Sequence, residues 1–180
     1  VEVAKLTATD GAIADYFGIS VAIAGDIIVV GAHGDDDGGS ASGSVYVFRT
    51  TNGGATYVEV AKLTAADAAS YDFFGYSVAI AGNTVVVGAK WDDDAGSNSG
   101  AVYVFLTSDS GATYIEVAKL TASDAAASDY FGRSVAIDGN TIVVGAYGED
   151  DYTGAVYVFR TSDDGATYGQ VAKLTAADAA

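Results

Sequence analysis

The sequence contains no cysteine, no proline and no methionine, and its 180 residues include one histidine and one tryptophan. Without cysteine, neither a disulfide framework nor a thiolate metal site can form. Without proline, the turns depend on glycine, asparagine and aspartate. No stretch approaches the roughly 18 consecutive apolar residues of a membrane-spanning helix, so we expect no membrane insertion.

Basic residues are also scarce. Lysine and arginine number 8 against 24 aspartates and glutamates, which gives a formal net charge of −16. Such a charge repels phosphate backbones and anionic lipids, so we expect no nucleic acid partner. Metal cations, cationic surfaces and a salty exterior are compatible with it, and we expect an extracellular or cell-surface location.

What is present is a threefold repeat. Residues 17–32 have the sequence FGISVAIAGDIIVVGA, and closely similar sequences occupy residues 74–89 and 131–146. Phe17 and Phe74 begin the first two copies, 57 residues apart, and the third copy follows at the same interval. A period of this length is typical of propellers and solenoids, in which one supersecondary unit recurs.

Each copy predicts four short strands. Residues 20–24 are apolar and end at Gly25-Asp26, a pair suited to a two-residue hairpin turn because glycine adopts positive φ freely. Residues 27–32 are almost continuously apolar, as expected of a strand buried on both faces. The predicted third and fourth strands are residues 44–48 and 58–65. We therefore predict an all-β protein of tandem four-stranded antiparallel blades, as in a β-propeller.

The fourth strand occurs four times, whereas the other strands occur three times. Residues 1–8 match residues 58–65, so we expect a spare outer strand of a preceding blade and then three complete repeats. The predicted repeats are residues 9–65, 66–122 and 123–180. Three blades fall short of the roughly four to eight that close a propeller. We expect a section of a longer array, or self-association in which two copies make a six-bladed ring or add end to end through open blade faces.

The repeated sequence motifs resemble FG-GAP repeats, which form the blades of integrin-α-type β-propellers. The short inner hairpins resemble those of the microbial and algal branch of that family. The resemblance rests on Phe-Gly-x-Ser-Val-Ala-Ile, Val-Val-Gly-Ala, Gly-Ala-Val-Tyr-Val-Phe and Lys-Leu-Thr-Ala, and it covers essentially the whole chain. In that family the alanine of the second motif is followed by proline, but here by His33, Lys90 and Tyr147. Integrin-type blades often hold calcium in an Asp-x-Asp-x-Asp-Gly loop between the first two strands, where this chain has only a two-residue turn.

The acidic loop between the second and third strands is the other candidate for calcium. Calcium takes about six to eight oxygen ligands, and in an extended segment residues i and i+2 point the same way. The candidate ligands are Asp35 and Asp37, Asp92 and Asp94, and Glu149 and Asp151. The alternative is a solvated acidic loop that holds no ion. Asp67 and its equivalents in the Ala-rich connectors are expected to N-cap a single helical turn.

Enzyme chemistry has little support in the sequence. A Ser-His-Asp arrangement could be built only around His33, which occupies a repeat position held elsewhere by Lys90 and Tyr147. The carboxylates recur at equivalent places in every repeat, whereas an active site needs unlike groups with separated pKa values. We therefore expect a protein that is not an enzyme.

Two functions remain open. The first is an extracellular adhesion module whose loops bind a protein or glycan, with Trp91, Tyr147 and Tyr152 as aromatic contacts. In a calcium-dependent form this module would be lectin-like, and Trp91 has the alternative role of a partly buried loop anchor. The second is a structural repeat of an extracellular filament or surface layer. An adhesion module should have one rim that differs between repeats, and these loops barely differ in sequence.

Overall fold

The computed structural model describes residues 2–177, which form three four-stranded antiparallel sheets in tandem. The first sheet contains β1 (Ser20–Ala24), β2 (Ile27–Ala32), β3 (Ser44–Arg49) and β4 (Val58–Leu63). The second contains β5 (Phe74–Ala81), β6 (Thr84–Ala89), β7 (Ala101–Leu106) and β8 (Ile115–Leu120). The third contains β9 (Phe131–Asp138), β10 (Thr141–Ala146), β11 (Ala155–Arg160) and β12 (Gly169–Leu174), with one helical turn, α1 (Glu149–Tyr152), before β11. The predicted all-β blades are confirmed, and the helices of residues 2–177 include none with the length and hydropathy of a membrane span.

The two-residue turns inside each blade lie where glycine was predicted to make them. Ala24 pairs with Ile27 across the first turn, and Gly25 in that turn has a φ of 55°. Gly82 and Gly139 occupy the same place in the other blades, with φ values of 55° and 51°. Side chains with a Cβ disfavour this left-handed region, so the glycines set the register of the inner hairpins.

The blades pack face to face, and each blade has two different faces. The aromatic face carries the Phe-Gly phenylalanine and the strand tyrosine, and the valine face is the opposite one. The aromatic face of the second blade, with Phe74 and Tyr103, packs on Val45 and Val47 of the first blade. The aromatic face of the third blade packs in the same way on the valine face of the second, where its contacts include Val86, Val102 and Val104. Each junction therefore forms one continuous apolar core.

The middle strands show what this stacking buries. In β6 all residues but the first are buried and in β2 the last four are buried, which confirms the prediction of a strand covered on both faces. In β10 buried and half-buried residues alternate, with Val143 among the half-buried ones. The reason is that no blade within residues 2–177 covers the valine face of the third sheet.

Residues 2–8 differ from the predicted outer strand, which also included the first residue. Residues 2–8 form no strand, and the first residue lies outside the described part of the chain. Leu6 and Ala8 nevertheless pack against the aromatic face of the first blade, next to Tyr46 and Phe48. A strand requires a hydrogen-bonding neighbour, and residues 2–177 contain no further sheet on that side. The segment therefore supplies the side-chain contacts of an outer strand without its backbone pairing.

Candidate functional site: a lysine cluster and an aromatic ladder at one rim

One rim of the blades carries the loops whose sequences suggested function. It consists of the ends of β2 and β4, the starts of β1 and β3, and the equivalent strand ends of the other blades. We call it the upper rim, and it includes the acidic loops 33–43, 90–100 and 147–154 and the connectors that precede each Phe-Gly pair. Two groups of side chains lie there, one near the outer strands and one near the inner strands.

A lysine at the end of the outer strand lies between the acidic side chains. In the first blade, Nζ of Lys62 lies 2.8 Å from Oδ2 of Asp10, 3.0 Å from Oδ2 of Asp35 and 2.6 Å from Oδ2 of Asp37. An ammonium group has three N–H donors, and here each has a carboxylate partner. The hydroxyl oxygen of Tyr46, on β3, lies 2.7 Å from Asp10 and 2.8 Å from Asp35. We call this group the lysine cluster.

The lysine cluster recurs in the other two blades. Lys119 lies 2.7 Å from Asp67 and 2.8 Å from Asp92, and it also contacts Asp94. In the third blade Lys173 lies 2.8 Å from Asp124 and 2.6 Å from Glu149. Tyr103 and Tyr157 take the place of the first blade's tyrosine in these two clusters.

The electrostatics of the cluster keep its charges in one state. Burial raises the pKa of Asp35, but hydrogen bonds from Lys62 and Tyr46 outweigh it and lower that pKa overall. The hydrogen bond from Lys62 also lowers the pKa of Asp10. Burial opposes the charged form of Lys62, yet its hydrogen bonds to the three aspartates raise the pKa of the ammonium. Burial and the Asp10 carboxylate raise the pKa of Tyr46. The hydrogen bonds between Lys62 and its partners therefore favour the charged forms of Lys62, Asp10 and Asp35.

The predicted calcium ligands do converge, but around an ammonium group. Carboxylate oxygens of Asp10, Asp35 and Asp37 lie within 4.8 Å of one another. Calcium would sit about 2.3–2.6 Å from such oxygens, in the space that Nζ of Lys62 occupies. The residues as they lie do not fit a calcium ion together with the lysine. Calcium at these carboxylates stays a prediction, and it requires the lysine to leave.

The third acidic loop departs from the predicted pairing of Glu149 with Asp151. Glu149 is buried and belongs to the cluster of Lys173, whereas Asp151 is exposed and is not a partner of that lysine. This loop is three residues shorter than the first two, and Asp150 and Asp151 have φ values of 48° and 55°. The chain therefore curls into α1, and residues i and i+2 do not share a side.

The expected helical N-cap at Asp67 is also corrected by the structure. No helix forms over residues 67–72. The Asp67 carboxylate instead accepts a hydrogen bond from the Tyr103 hydroxyl at 2.8 Å and one from the Lys119 ammonium at 2.7 Å. These partners are far away in sequence, so the local pattern could not reveal them.

Nearer the inner strands, aromatic and cationic side chains form a row that crosses all three blades. The Tyr16 ring stacks on the His33 ring at 5.0 Å, and His33 meets Tyr76 of the second blade edge to face at 5.6 Å. The guanidinium carbon of Arg133, on the third blade, lies 5.6 Å from the Tyr76 ring and 4.5 Å from the Tyr147 ring. We call this row the aromatic ladder. Cation–π contacts of this kind hold side chains in register at a partly exposed surface.

The three predicted ligand-binding residues all belong to the ladder or border it. Trp91 stacks on Phe73 at 4.4 Å and is half-buried, so it also anchors its loop. Nζ of Lys90 lies 4.9 Å from the Trp91 ring. Tyr147 and Tyr152 are 42% and 63% exposed and are tilted against each other at 5.7 Å. Of the three predicted side chains, the two tyrosines are the more open to a ligand.

His33 is a packing residue in this row. Burial lowers the pKa of His33, and the charge of Lys90 lowers it further. Its Nδ1 atom is buried and forms no hydrogen bond within residues 2–177. A neutral ring stacked between aromatic neighbours matches the structural role expected from its repeat position.

Sequence reasoning missed most of the ladder, although a signal was present. The ladder is built largely from two repeat positions whose residues differ between otherwise near-identical copies. These residues are Ile19, Tyr76 and Arg133 after the Phe-Gly pair, and His33, Lys90 and Tyr147 after the Gly-Ala pair. The loops barely differ in sequence between repeats, but at these two positions they do differ, and the structure brings His33, Tyr76, Arg133 and Tyr147 together at the upper rim.

Four-stranded meanders that stack face to face through Phe-Gly pairs define a β-propeller-like repeat protein. The family model described as FG-GAP repeat matches residues 1–48, 57–105 and 114–159, and the chain belongs to that family. No curated protein matches the sequence. Among solved structures, Sqt1 of Saccharomyces cerevisiae is similar in fold, with a TM-score of 0.56 and 13% sequence identity. The similarity covers 91% of this chain but 37% of the Sqt1 chain, so this chain spans well under half the length of that protein.

Proposed function

We propose that this chain is a non-enzymatic FG-GAP module of the cell surface or extracellular space that acts in adhesion or structural assembly. The aromatic ladder is the observation that carries the adhesive role. It is partly exposed, it spans all three blades, and it gathers residues of two repeat positions that differ between the copies. Aromatic faces and paired cations in such an arrangement suit a protein or glycan ligand.

The ion pairs of the lysine clusters support a role without catalysis. Each lysine cluster pairs its buried carboxylates with an internal ammonium, and the pKa of Lys62 is raised, away from the range useful for proton transfer at neutral pH. The histidine is packed among aromatic rings. The large negative charge disfavours nucleic acid as a partner. A calcium-dependent lectin is less favoured than calcium-independent binding, because Lys62 lies where the ion would bind.

A cell-binding assay tests the adhesive role. Beads coated with the full chain should bind intact cells of the producing organism, and an antibody against the chain should label those cells without permeabilisation. The double variant Tyr147→Ala/Tyr152→Ala should reduce bead binding about tenfold. Ile115→Ala is the control, since Ile115 is 67% exposed on an outer strand and is not part of the ladder. Equal binding by the ladder variant and the control would refute adhesion through this rim.

A structural unit of an extracellular filament or surface layer is the second candidate. The observation in its favour is that the outward faces of the first and third blades both carry exposed apolar side chains, such as Val21 and Leu174. Exposed sheet faces of this kind are typical of proteins that assemble.

A further inference from the structure

The two junctions inside the chain define a repeated interface. The Ser20 hydroxyl donates a hydrogen bond to the Gly75 carbonyl of the next blade at 2.8 Å, and the Ser77 hydroxyl donates one to Gly132 at 2.7 Å. A Cβ atom added to Gly31 would lie 2.0 Å from the Gly75 carbonyl oxygen, and one added to Gly88 would lie 2.0 Å from that of Gly132. The close approach of one blade to the next therefore requires a glycine at this position.

The backbone of the following blade is held at the same junctions. The amide of Tyr71 donates to the Ser40 carbonyl at 2.8 Å, and that of Phe74 donates to the Ser42 carbonyl at 2.9 Å. The second junction repeats both bonds with the same lengths, from Ser128 to Ser97 and from Phe131 to Ser99. A blade thus docks by laying its connector and Phe-Gly pair along the acidic loop of the blade before it.

The third blade has the serine and the glycine of the receiving half, and no blade within residues 2–177 covers them. Its acidic loop is shorter and forms α1, so the loop backbone that receives the connector at the other two junctions has a different conformation here. Ser134 and Gly145 are the equivalents of the junction serine and glycine, and a Cβ on Gly145 would come within 3 Å only of the Ser134 hydroxyl. A groove of about 660 Å³ opens at this place, with Gly154, Val156 and Leu174 in its lining. Leu174 is 56% exposed, whereas its equivalent Leu120 in the covered second blade is 5% exposed. We call this surface the socket.

The first blade has the inserting half of the interface, and its connector already has the backbone conformation of the docked blades. Val21 on its inner strand is 66% exposed, whereas Val78, the equivalent in the docked second blade, is 9% exposed. Ala14 and Tyr16 in its connector have φ values of 71° and 56°, and the docked equivalents Tyr71 and Phe73 have 73° and 59°. The left-handed backbone conformation is costly for residues with a Cβ. Ala14 and Tyr16 adopt it although the first blade docks on no preceding blade within residues 2–177, so the connector already has the docked conformation.

The N-terminal segment, residues 2–8, covers part of the inserting face of the first blade. Leu6 and Ala8 cover the aromatic face of the first blade, where an incoming third blade would place Leu174 and Ala176. Residues 2–8 and the β12 strand of an incoming third blade would occupy the same place on the aromatic face. We expect β12 to displace residues 2–8, because β12 is hydrogen-bonded to β11 and residues 2–8 belong to no sheet.

We propose that the socket of the third blade receives the first blade of a second copy, whose Phe17-Gly18 pair lies over Gly145 once residues 2–8 have left its aromatic face. The proposal rests on the assembly role proposed above and names its partner. A second copy is the occupant because the two open faces are the halves of an interface that the chain already makes twice. Such a head-to-tail contact closes a ring or extends as a filament, and two copies would make six blades, within the roughly four to eight of closed propellers.

Mass measurement in solution over a dilution series of the full chain tests the proposal. We expect a species of about twice the 18.1 kDa chain or a higher multiple. Gly145→Ala should weaken self-association about tenfold or more, since its Cβ meets the incoming backbone. Leu6→Ser should strengthen it about tenfold, because the covering segment is released. A wild-type chain and a Leu6→Ser variant that both remain monomeric would overturn the proposal, as would a Gly145→Ala variant that associates like wild type.

A control variant and two further measurements separate alternative outcomes. Gly169→Ala is the matched control, because a Cβ at Gly169 has no neighbour within 4 Å. A Val21→Asp chain should fail to associate alone but should pair with Gly145→Ala, since that mixture retains one intact socket and one intact inserting face. Failure of the mixture to pair would contradict head-to-tail docking. Cell binding by monomeric Gly145→Ala would show that adhesion stands even if the socket proposal fails.

Discussion

The ammonium nitrogen of Lys62 lies 3.0 Å from Oδ2 of Asp35, a carboxylate buried at the upper rim of the first blade. The lysine comes from the outer strand and the aspartate from the loop between the two middle strands. The chain thus supplies its own cation to hold an acidic loop. Removing one partner of a buried ion pair is costly, because the remaining charge stays in a medium of low dielectric constant.

Replacing the lysine of the central cluster should destabilise the protein. We expect Lys119→Met to lower the free energy of unfolding by about 3–5 kcal/mol, since three carboxylates lose their shared cation. Chemical denaturation at neutral pH measures the change. Lys5→Met is the matched control, because Lys5 has the same repeat position in the first segment but is exposed, and its effect should stay within about 0.5 kcal/mol. Equal losses in both variants would contradict the central role of the cluster.

Calcium should distinguish the wild-type chain from the lysine variant. Millimolar Ca²⁺ should leave the thermal midpoint of the wild type unchanged and raise that of Lys119→Met, in which Asp67, Asp92 and Asp94 no longer surround an ammonium. Binding to the folded state at 100 times the dissociation constant adds about 2.7 kcal/mol. An equal rise in the wild type would show that calcium displaces the lysine and that the calcium site predicted from the sequence exists.

A carboxylate in the second connector should limit stability at neutral pH. Burial raises the pKa of Asp72 to about 6, and the charge of Asp92 adds to the rise although the Ala69 amide opposes it. Because the folded state favours protonated Asp72, its ionisation costs stability as the pH rises through about 4 to 6. Asp72→Asn should therefore raise the free energy of unfolding above that range by up to about 3 kcal/mol and change it little below about pH 4. A gain that is the same at both pH values would rule out ionisation as its cause.

The lysine cluster of the first blade should respond to pH in the opposite direction. Hydrogen bonds from Lys62 and Tyr46 lower the pKa of Asp35 in spite of its burial. Its contribution is therefore present above the unfolded pKa of about 3.9 and is lost as the pH falls through the folded value. Asp35→Asn should cost about 1.5–3 kcal/mol at neutral pH, and the difference from wild type should vanish in acid. A cost that persists unchanged at low pH would mean that packing, not charge, is responsible.

The glycine at an internal junction should tolerate no side chain. A Cβ on Gly88 would lie 2.0 Å from the Gly132 carbonyl oxygen, so Gly88→Ala should separate the second and third blades and cost more than about 2 kcal/mol in thermal or chemical unfolding. Gly169→Ala, on the open outer strand, should change stability by less than about 0.5 kcal/mol. A mild effect at Gly88 would argue against close blade packing.

Local features of the sequence were sufficient to predict the four strands of each blade and the turns between its inner strands. The alternation of apolar segments with Gly-Asp and Gly-Asn pairs predicted the strands and inner turns, because strand formation and positive φ depend on neighbouring residues. The four copies of the outer strand predicted a segment in excess, but whether residues 2–8 would pair depended on a neighbouring sheet. The same limit explains Asp67, whose partners Tyr103 and Lys119 lie 36 and 52 residues away.

The sequence by itself determined the period, the number of four-stranded units and the acidic character of the loops, since these follow from composition and local pattern. The tertiary structure alone decided that a lysine fills the space between the acids and that residues of two variable repeat positions lie together at one rim. The physical reason is that both arrangements arise where strand ends from distant parts of the chain meet, and only blade pairing and stacking bring those ends within hydrogen-bonding distance.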